Sequence, residues 1–363
     1  MNRLMTTAPA IEVRDLSKRY AKSKTNAVDG VSFSVPRGAI FGLLGPNGAG
    51  KTTIIGALTT FIVPSGGSAS IMGLEVARDP IGIKQRIAVV PQQSNLDRSL
   101  KVREILTFHA AYHGVPRKQR EARADLLLDE LGLGDRKNEK VSRYSGGMAQ
   151  RLMIARALMH APDVLFLDEP TNNLDPQSRL FLWERIREMN ARGLTILLTT
   201  HDMDEAEKLC HRIAIMDHGK ILVDDTPAAL KKLIPGGSVL ELRAFVPEAG
   251  NAAIAERLAQ ALRALPGVTK VDAADTAAPE VETPGPPPGP AGPWGPPGAP
   301  AAPAEAALEP GVRIYRVYAD AANALIGPAA QAVAAAGAEV RDLSVKQPTL
   351  EEVFIFLTGR HLR

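Results

Sequence analysis

Several things are scarce in this sequence, and each shortage narrows what the chain can be. A single cysteine, Cys210, stands among 363 residues. It cannot form an internal disulfide, so the expectation is a small buried hydrophobe in a reducing compartment. Charge of one sign is not in excess, since Lys plus Arg exceed Asp plus Glu by only 43 − 40 = 3. That balance supplies no electrostatic argument for nucleic acid as the main partner. No run reaches the roughly 18 apolar residues a membrane span needs, and the N-terminus lacks the charged-then-apolar order of a signal peptide. The expectation is a cytoplasmic chain that reaches any membrane process through a partner. What remains is a globular composition, 45% hydrophobic and 23% charged, long enough for two domains.

The chain is organised around Gly45-Pro46-Asn47-Gly48-Ala49-Gly50-Lys51-Thr52-Thr53, which follows the apolar run Ala39 to Leu44 and leads into a helix-like segment, Thr53 to Thr59. Strand, glycine loop, helix is the context of a P-loop. The glycines turn successive backbone N–H groups toward one concavity, and the helix aims its positive end at the same place. Lys51 then reaches the β- and γ-phosphates of a nucleotide, and Thr52 offers a hydroxyl to Mg²⁺.

Before this loop, Ile11 to Val13 and Val31 to Val35 alternate like half-buried strands. Tyr20 between them reads either as rim packing or as a ring placed to stack on adenine. After it, the apolar run Ile87 to Val90 ends in Pro91-Gln92-Gln93, where Gln92 reads as a solvent amide or as a ligand for Mg²⁺ or an attacking water. Residues Val102 to Gly132 carry helical periodicity. Tyr144-Ser145-Gly146-Gly147 precedes another helix, Arg151 to Leu158, and a hydroxyl with backbone N–H groups at a helix start makes a second anion site. The buried run Val164 to Leu167 ends in Asp168-Glu169, two acids that either cap a turn or hold Mg²⁺ (Asp168) and polarise a water (Glu169). Leu194 to Thr200 ends in His201, a packing residue or, at a strand's C-terminal end, a γ-phosphate sensor. Strands alternating with helices predict a mostly parallel sheet.

In this order the motifs make residues 10–235 resemble the ATP-binding cassette of ABC transporters. The resemblance implies an α/β P-loop NTPase fold with antiparallel N-terminal strands and a helical subdomain at about 98–160. It implies ATP and Mg²⁺ as cofactors, with Tyr20 against the adenine, residues Gly45 to Thr53 around the phosphates, and Ser145, Gly146 and Gly147 as the signature loop. Glu169, His201, Lys51 and Gln92 become the catalytic set; Thr52, Gln92 and Asp168 become the metal set; Asp175 falls in the D-loop. It further implies a head-to-tail homodimer in which each ATP lies between the P-loop of one copy and the signature of the other. Tyr144, where the family commonly has Leu, and Asn172-Asn173, at positions more often small, depart from the pattern without removing a phosphate ligand.

From Ser238 the composition changes. Strand-like Val239 to Leu242, helix-like Ala252 to Leu265, strand-like Val268 to Val271, then strand, helix and strand at Val312 to Val317, Ala321 to Ala336 and Glu339 to Val345 predict a ferredoxin-like α+β domain over 236–363. A Pro/Gly-rich stretch, 277–310, interrupts it and reads as an extended polyproline-like loop, with Trp294 a candidate docking point. The ending, Lys346 to Gly359, resembles the terminal helix of the drug-resistance and antibiotic-export branch of ABC ATPases, whose members pair with a separate ABC-2-type permease. The expected function is therefore an ATPase on the inner face of the plasma membrane that powers export of a drug, antibiotic, lipid or glycan. The competing reading is a soluble ABC ATPase acting on ribosomes or DNA. Against it stand the lack of coiled-coil insertions, of a second cassette and of excess positive charge. A P-loop kinase does not account for Ser145-Gly146-Gly147 or His201.

Overall fold

The computed structural model describes residues 8–21, 23–234, 238–247, 251–274, 311–319, 322–346 and 348–359. The expected loop at 277–310, with Trp294, lies outside the described residues. The chain divides into two compact units, Met1–Leu230 with Leu350–Arg363, and Lys231–Thr349.

In the first unit, strands β1 (Ile11–Lys18) and β2 (Val28–Val35) pair antiparallel, and their alternating pattern buries Ile11, Val13 and Leu16 opposite Val31, Phe33 and Val35. Strand β3 (Ile40–Leu44), buried at every residue, leads into helix α1 (Lys51–Leu58). Strands β4 (Gly66–Ile71) and β5 (Leu74–Glu75) complete an antiparallel sheet in the order β2-β1-β4-β5. Next come α2 (Pro80–Arg86), β6 (Ile87–Val90) and a helical block of α3 (Val102–Tyr112), α4 (Arg117–Glu130) and α5 (Gly146–Leu158), which pack on one another. Strand β7 (Val164–Asp168), α6 (Pro176–Ala191), β8 (Thr195–Thr200), α7 (Met203–Leu209), β9 (Arg212–Asp217), β10 (Lys220–Asp225) and α8 (Pro227–Lys231) follow.

The central sheet runs β10-β9-β3-β8-β7-β6, parallel from β9 to β6, with β10 turned back antiparallel on β9. Covered on both faces, its inner strands are continuous apolar runs rather than alternating ones. Each of Val164, Leu165, Phe166 and Leu167 is fully buried, and burying a side chain of that size stabilises by about 1.5–3 kcal/mol. Phe33 of the antiparallel sheet stacks on Phe41 of the central one, with ring centroids 5.2 Å apart. Cys210 is buried as expected, and burial pushes its thiol pKa well up. A Cβ on Gly42 would lie 2.7 Å from its sulfur, so the strand passes there without a side chain. Because β3, β6, β7 and β8 are parallel, the segments after them leave from the same edge of the sheet, where ligands of such folds bind.

The second unit comprises β11 (Val239–Phe245), α9 (Asn251–Arg263), β12 (Val268–Ala274), β13 (Val312–Ala319), α10 (Ile326–Ala336) and β14 (Glu339–Lys346). Its sheet, in the order β12-β13-β11-β14, is antiparallel throughout, the topology of the ferredoxin-like βαββαβ unit. Leu258 and Leu262 of α9 and Ala329 and Val333 of α10 join Leu240, Leu242 and Val317 of the sheet in one core.

The last helix departs from expectation. Helix α11 (Leu350–Thr358) does not complete this second unit but packs against α7 of the first, burying Leu350, Val353, Phe354 and Ile355. The ferredoxin-like core is already closed by α9 and α10, whereas α11 carries an apolar face that requires a partner surface.

Candidate functional site

The loop after β3 wraps the N-terminus of α1. Gly50 adopts φ +103°, and a Cβ there would come 2.4 Å from the Ala27 carbonyl oxygen. A Cβ on Gly45 would come equally close, 2.4 Å, to the Met216 carbonyl oxygen. Only glycine fits at either position, and the loop draws tight around a cavity of about 490 Å³ lined by Ala27, Asn47 to Thr53, Gln92 and Glu169. Lys51 is 4% exposed. Its ammonium donates to the carbonyls of Gly45 (2.6 Å) and Pro46 (3.0 Å) and lies 3.5 Å from Glu169 Oε1. Burial pushes its pKa down, and the carboxylates of Glu169 and Asp168 oppose that shift.

Glu169 lines the same cavity, and Asp168 precedes it as the last residue of β7. Asp168 Oδ1 accepts from Thr199 Oγ1 at 2.5 Å and from Thr52 Oγ1 at 3.3 Å. Thr52 and Asp168 thus set a hydroxyl and a carboxylate beside each other, the all-oxygen donor set that suits Mg²⁺. Glu169 sits at φ +47° just past β7, its backbone N–H bonded to Thr199. A non-glycine residue held in this region is strained, and the fixed backbone aims the side chain into the cavity. Four groups meet its carboxylate: Gln92 Nε2 at 2.9 Å and Asn172 Nδ2 at 3.1 Å on Oε2, and His201 Nδ1 at 3.3 Å and Lys51 Nζ at 3.5 Å from Oε1. A carboxylate so held can accept a proton from a water aligned on a phosphate.

Tyr20 stands at the rim. Its hydroxyl lies 3.3 Å from Thr53 Oγ1 while 43% of the residue stays exposed, so a ring face remains for a base. Ser145, Gly146 and Gly147, expected as the signature loop, do not line this cavity. Ser145 caps α5, its Oγ accepting from the Met148 N–H at 3.3 Å, and a Cβ on Gly146 would meet nothing within 4 Å. Ser145 and Gly146 line a second cavity of about 310 Å³ with Tyr144, Asn172 and Asn173; Gln92 borders both cavities. Gly147 instead packs toward Ser178, whose Oγ would lie 2.7 Å from a Cβ placed there. Asp175 is a helix cap, accepting from the Ser178 N–H at 2.9 Å.

The description "ABC transporter" matches residues 28–172 of the chain. The daunorubicin/doxorubicin resistance ATP-binding protein DrrA of Streptomyces peucetius is 42% identical over 259 residues, 71% of this chain and 77% of that one. The chain belongs to the ABC transporter ATP-binding proteins. The cassette accordingly binds and hydrolyses ATP and serves a transporter. The daunorubicin resistance ATP-binding protein DrrA2 of Streptomyces coeruleorubidus is 35% identical over 350 residues, 96% of this chain and 95% of that one, so the likeness extends through the second unit. A solved ATP-binding subunit of an ABC transporter, 33% identical, superposes with a TM-score of 0.57 over 62% of this chain and 92% of its own.

Three residues of the cassette escaped the reading of its sequence. Thr199 holds both Asp168 and the Glu169 backbone, yet in Leu197-Leu198-Thr199-Thr200 it looks like any β-branched strand residue. Asn172 stands out in the sequence only as a departure from the family pattern. Glu205, 1% exposed, accepts from Thr171 Oγ1 at 2.7 Å and Trp183 Nε1 at 3.1 Å, and burial raises its pKa. It ties the segment after Glu169 to α6 and α7, and its helical neighbours disguise it as a solvated acid.

Proposed function

We propose that the cassette powers export of a small drug-like or antibiotic molecule through a separately encoded ABC-2-type permease, acting as a homodimer on the cytoplasmic face of the plasma membrane. The observation that carries the reading is the likeness, from end to end, to a protein named for daunorubicin resistance. The dimer is supported by the separation of the two phosphate-type sites: Lys51 and the glycine loop line one cavity, Ser145 and Gly146 another. A second copy turned head to tail brings one against the other.

In the proposed reaction Tyr20 stacks on adenine, the amides of Gly45 to Thr53 and Lys51 hold the phosphates, and Ser145, Gly146 and Gly147 of the other copy close over them. Thr52, Asp168 and the Gln92 amide oxygen are the residues to hold Mg²⁺, which supplies charge neutralisation at the phosphates. A water attacks the γ-phosphorus, its proton passes to Glu169, and the bond from that phosphorus to the β-phosphate oxygen breaks, leaving ADP and inorganic phosphate. His201, 3.3 Å from Glu169, orients both carboxylate and phosphate.

Affinity capture from detergent-solubilised membranes tests the reading. Recovery of a polytopic membrane protein whose presence stimulates ATP hydrolysis supports it. Recovery of ribosomes or DNA instead would overturn it in favour of a soluble ABC ATPase.

A further inference from the structure

Away from the nucleotide cavity, three histidines converge in the helical block. His109 and His113 lie one turn apart at the C-terminal end of α3, and His160 follows α5. One ring nitrogen of each lies within 4.8 Å of the other two. The His113 and His160 rings stack with centroids 3.8 Å apart, and His109 is 4.9 Å from the first and 5.9 Å from the second.

Two features separate this cluster from ordinary packing. His160 Nε2 lies 2.9 Å from the Ile87 carbonyl oxygen, a contact that takes the Nε2–H and leaves the lone pair of the neutral ring on Nδ1. That Nδ1 is buried without a hydrogen-bond partner. A ring oriented by a backbone carbonyl through one nitrogen, with the other unused, is how proteins present histidine to a metal ion. Burial also lowers the pKa of each ring, that of His109 to about 4, with those of His113 and His160 pushed down as well. The shifts favour the neutral ring, the form that binds a metal ion.

We propose that His109, His113 and His160 bind a borderline divalent transition-metal ion, with Zn²⁺ the representative case. Imidazole nitrogens favour this class over Mg²⁺, which takes oxygen. Nitrogens at about 2.0–2.1 Å from a tetrahedral ion sit about 3.4 Å apart. Rotation of His113, exposed at the end of α3, unstacks it from His160 and closes the difference; water completes the coordination. Arg123 and Arg156 are the positive groups that act on the cluster. Each is turned to oxygen acceptors, Arg123 to the Leu158 carbonyl and Arg156 to Asn95. Their charge makes the site weaker than a closed structural zinc site. Because His160 is bonded to the first residue of β6, the strand that leads to Gln92, a bound ion fastens α3 to that strand.

The test uses tag-free full-length protein with Mg²⁺ in excess to saturate oxygen sites. Titration with Co²⁺, followed by visible absorption, and with Zn²⁺, followed by calorimetry and Tm, is expected to show one ion per chain and a rise in Tm. His113→Ala, at an exposed position, is expected to keep the metal-free Tm of the parent and lose about tenfold or more in affinity. His109→Ala should lose a similar amount. The proposal is overturned if the parent binds no Co²⁺ or Zn²⁺ beyond what the His109→Ala/His113→Ala double variant binds, or if folded His113→Ala binds as the parent does.

Discussion

Gln92 donates its side-chain amide to Glu169 at 2.9 Å, so the segment leaving β6 is bonded directly to the acid at the end of β7. The contact uses the amide nitrogen, so the Gln92 oxygen is not spent on it, and it fixes one carboxylate oxygen of Glu169. Together with Asn172 and His201 it surrounds the acid with donors, an arrangement fit for a base that must point at one water.

Glu169→Gln keeps the shape of the side chain and removes its ability to take a proton. Phosphate release should fall by about 10²- to 10⁴-fold while nucleotide affinity is retained, read by a phosphate assay and by binding of a fluorescent ATP analogue. Equal turnover in variant and parent would remove Glu169 from its role.

Lys51→Ala deletes the buried ammonium that lies between the glycine loop and Glu169. A lost charge-assisted interaction of this kind is expected to weaken ATP binding roughly ten- to hundredfold. Unchanged affinity in equilibrium binding would contradict the phosphate-holding assignment of the loop.

Gly50→Ala forces a side chain into φ +103° and against the Ala27 carbonyl. Backbone strain alone costs roughly 1–3 kcal/mol, and the close approach adds to it. Thermal melting should show a lower Tm and nucleotide titration a weaker Kd. A variant with the parent's values for both would show that the loop does not need glycine there.

Glu205 carries a pH signature. Burial raises its pKa above the usual 4.5, so the folded chain holds this proton more tightly than the unfolded one. Its contribution is most favourable below 4.5 and declines as pH rises through the shifted value. Glu205→Gln preserves an oxygen acceptor for Thr171 and Trp183 and removes the titration. Denaturant unfolding across that range should show a shallower fall of stability with pH in the variant, and an identical pH slope would exclude the raised pKa.

The sequence alone carried the architecture of both units, because the signals were local. Apolar runs such as Val164 to Leu167 need two covered faces, the glycines at 45 and 50 need backbone room, and the βαββαβ order after Ser238 leaves few ways to close a sheet. Lys51, Thr52, Asp168 and Glu169 could be named for the same reason, since the loop and the strand end place them within a few residues of the turns that position them. Tertiary structure alone decided the rest. Thr199 reaches Asp168 only because β8 lies beside β7 in the parallel sheet, and Glu205 is buried only because α6 and α7 meet over it. Helix α11 joins the first unit although more than a hundred residues separate it in sequence from α7. His160 meets His109 and His113 because α3 and α5 pack side by side. Contacts between segments distant in the chain depend on how whole elements pack, and no periodicity or motif within one segment records where another will lie.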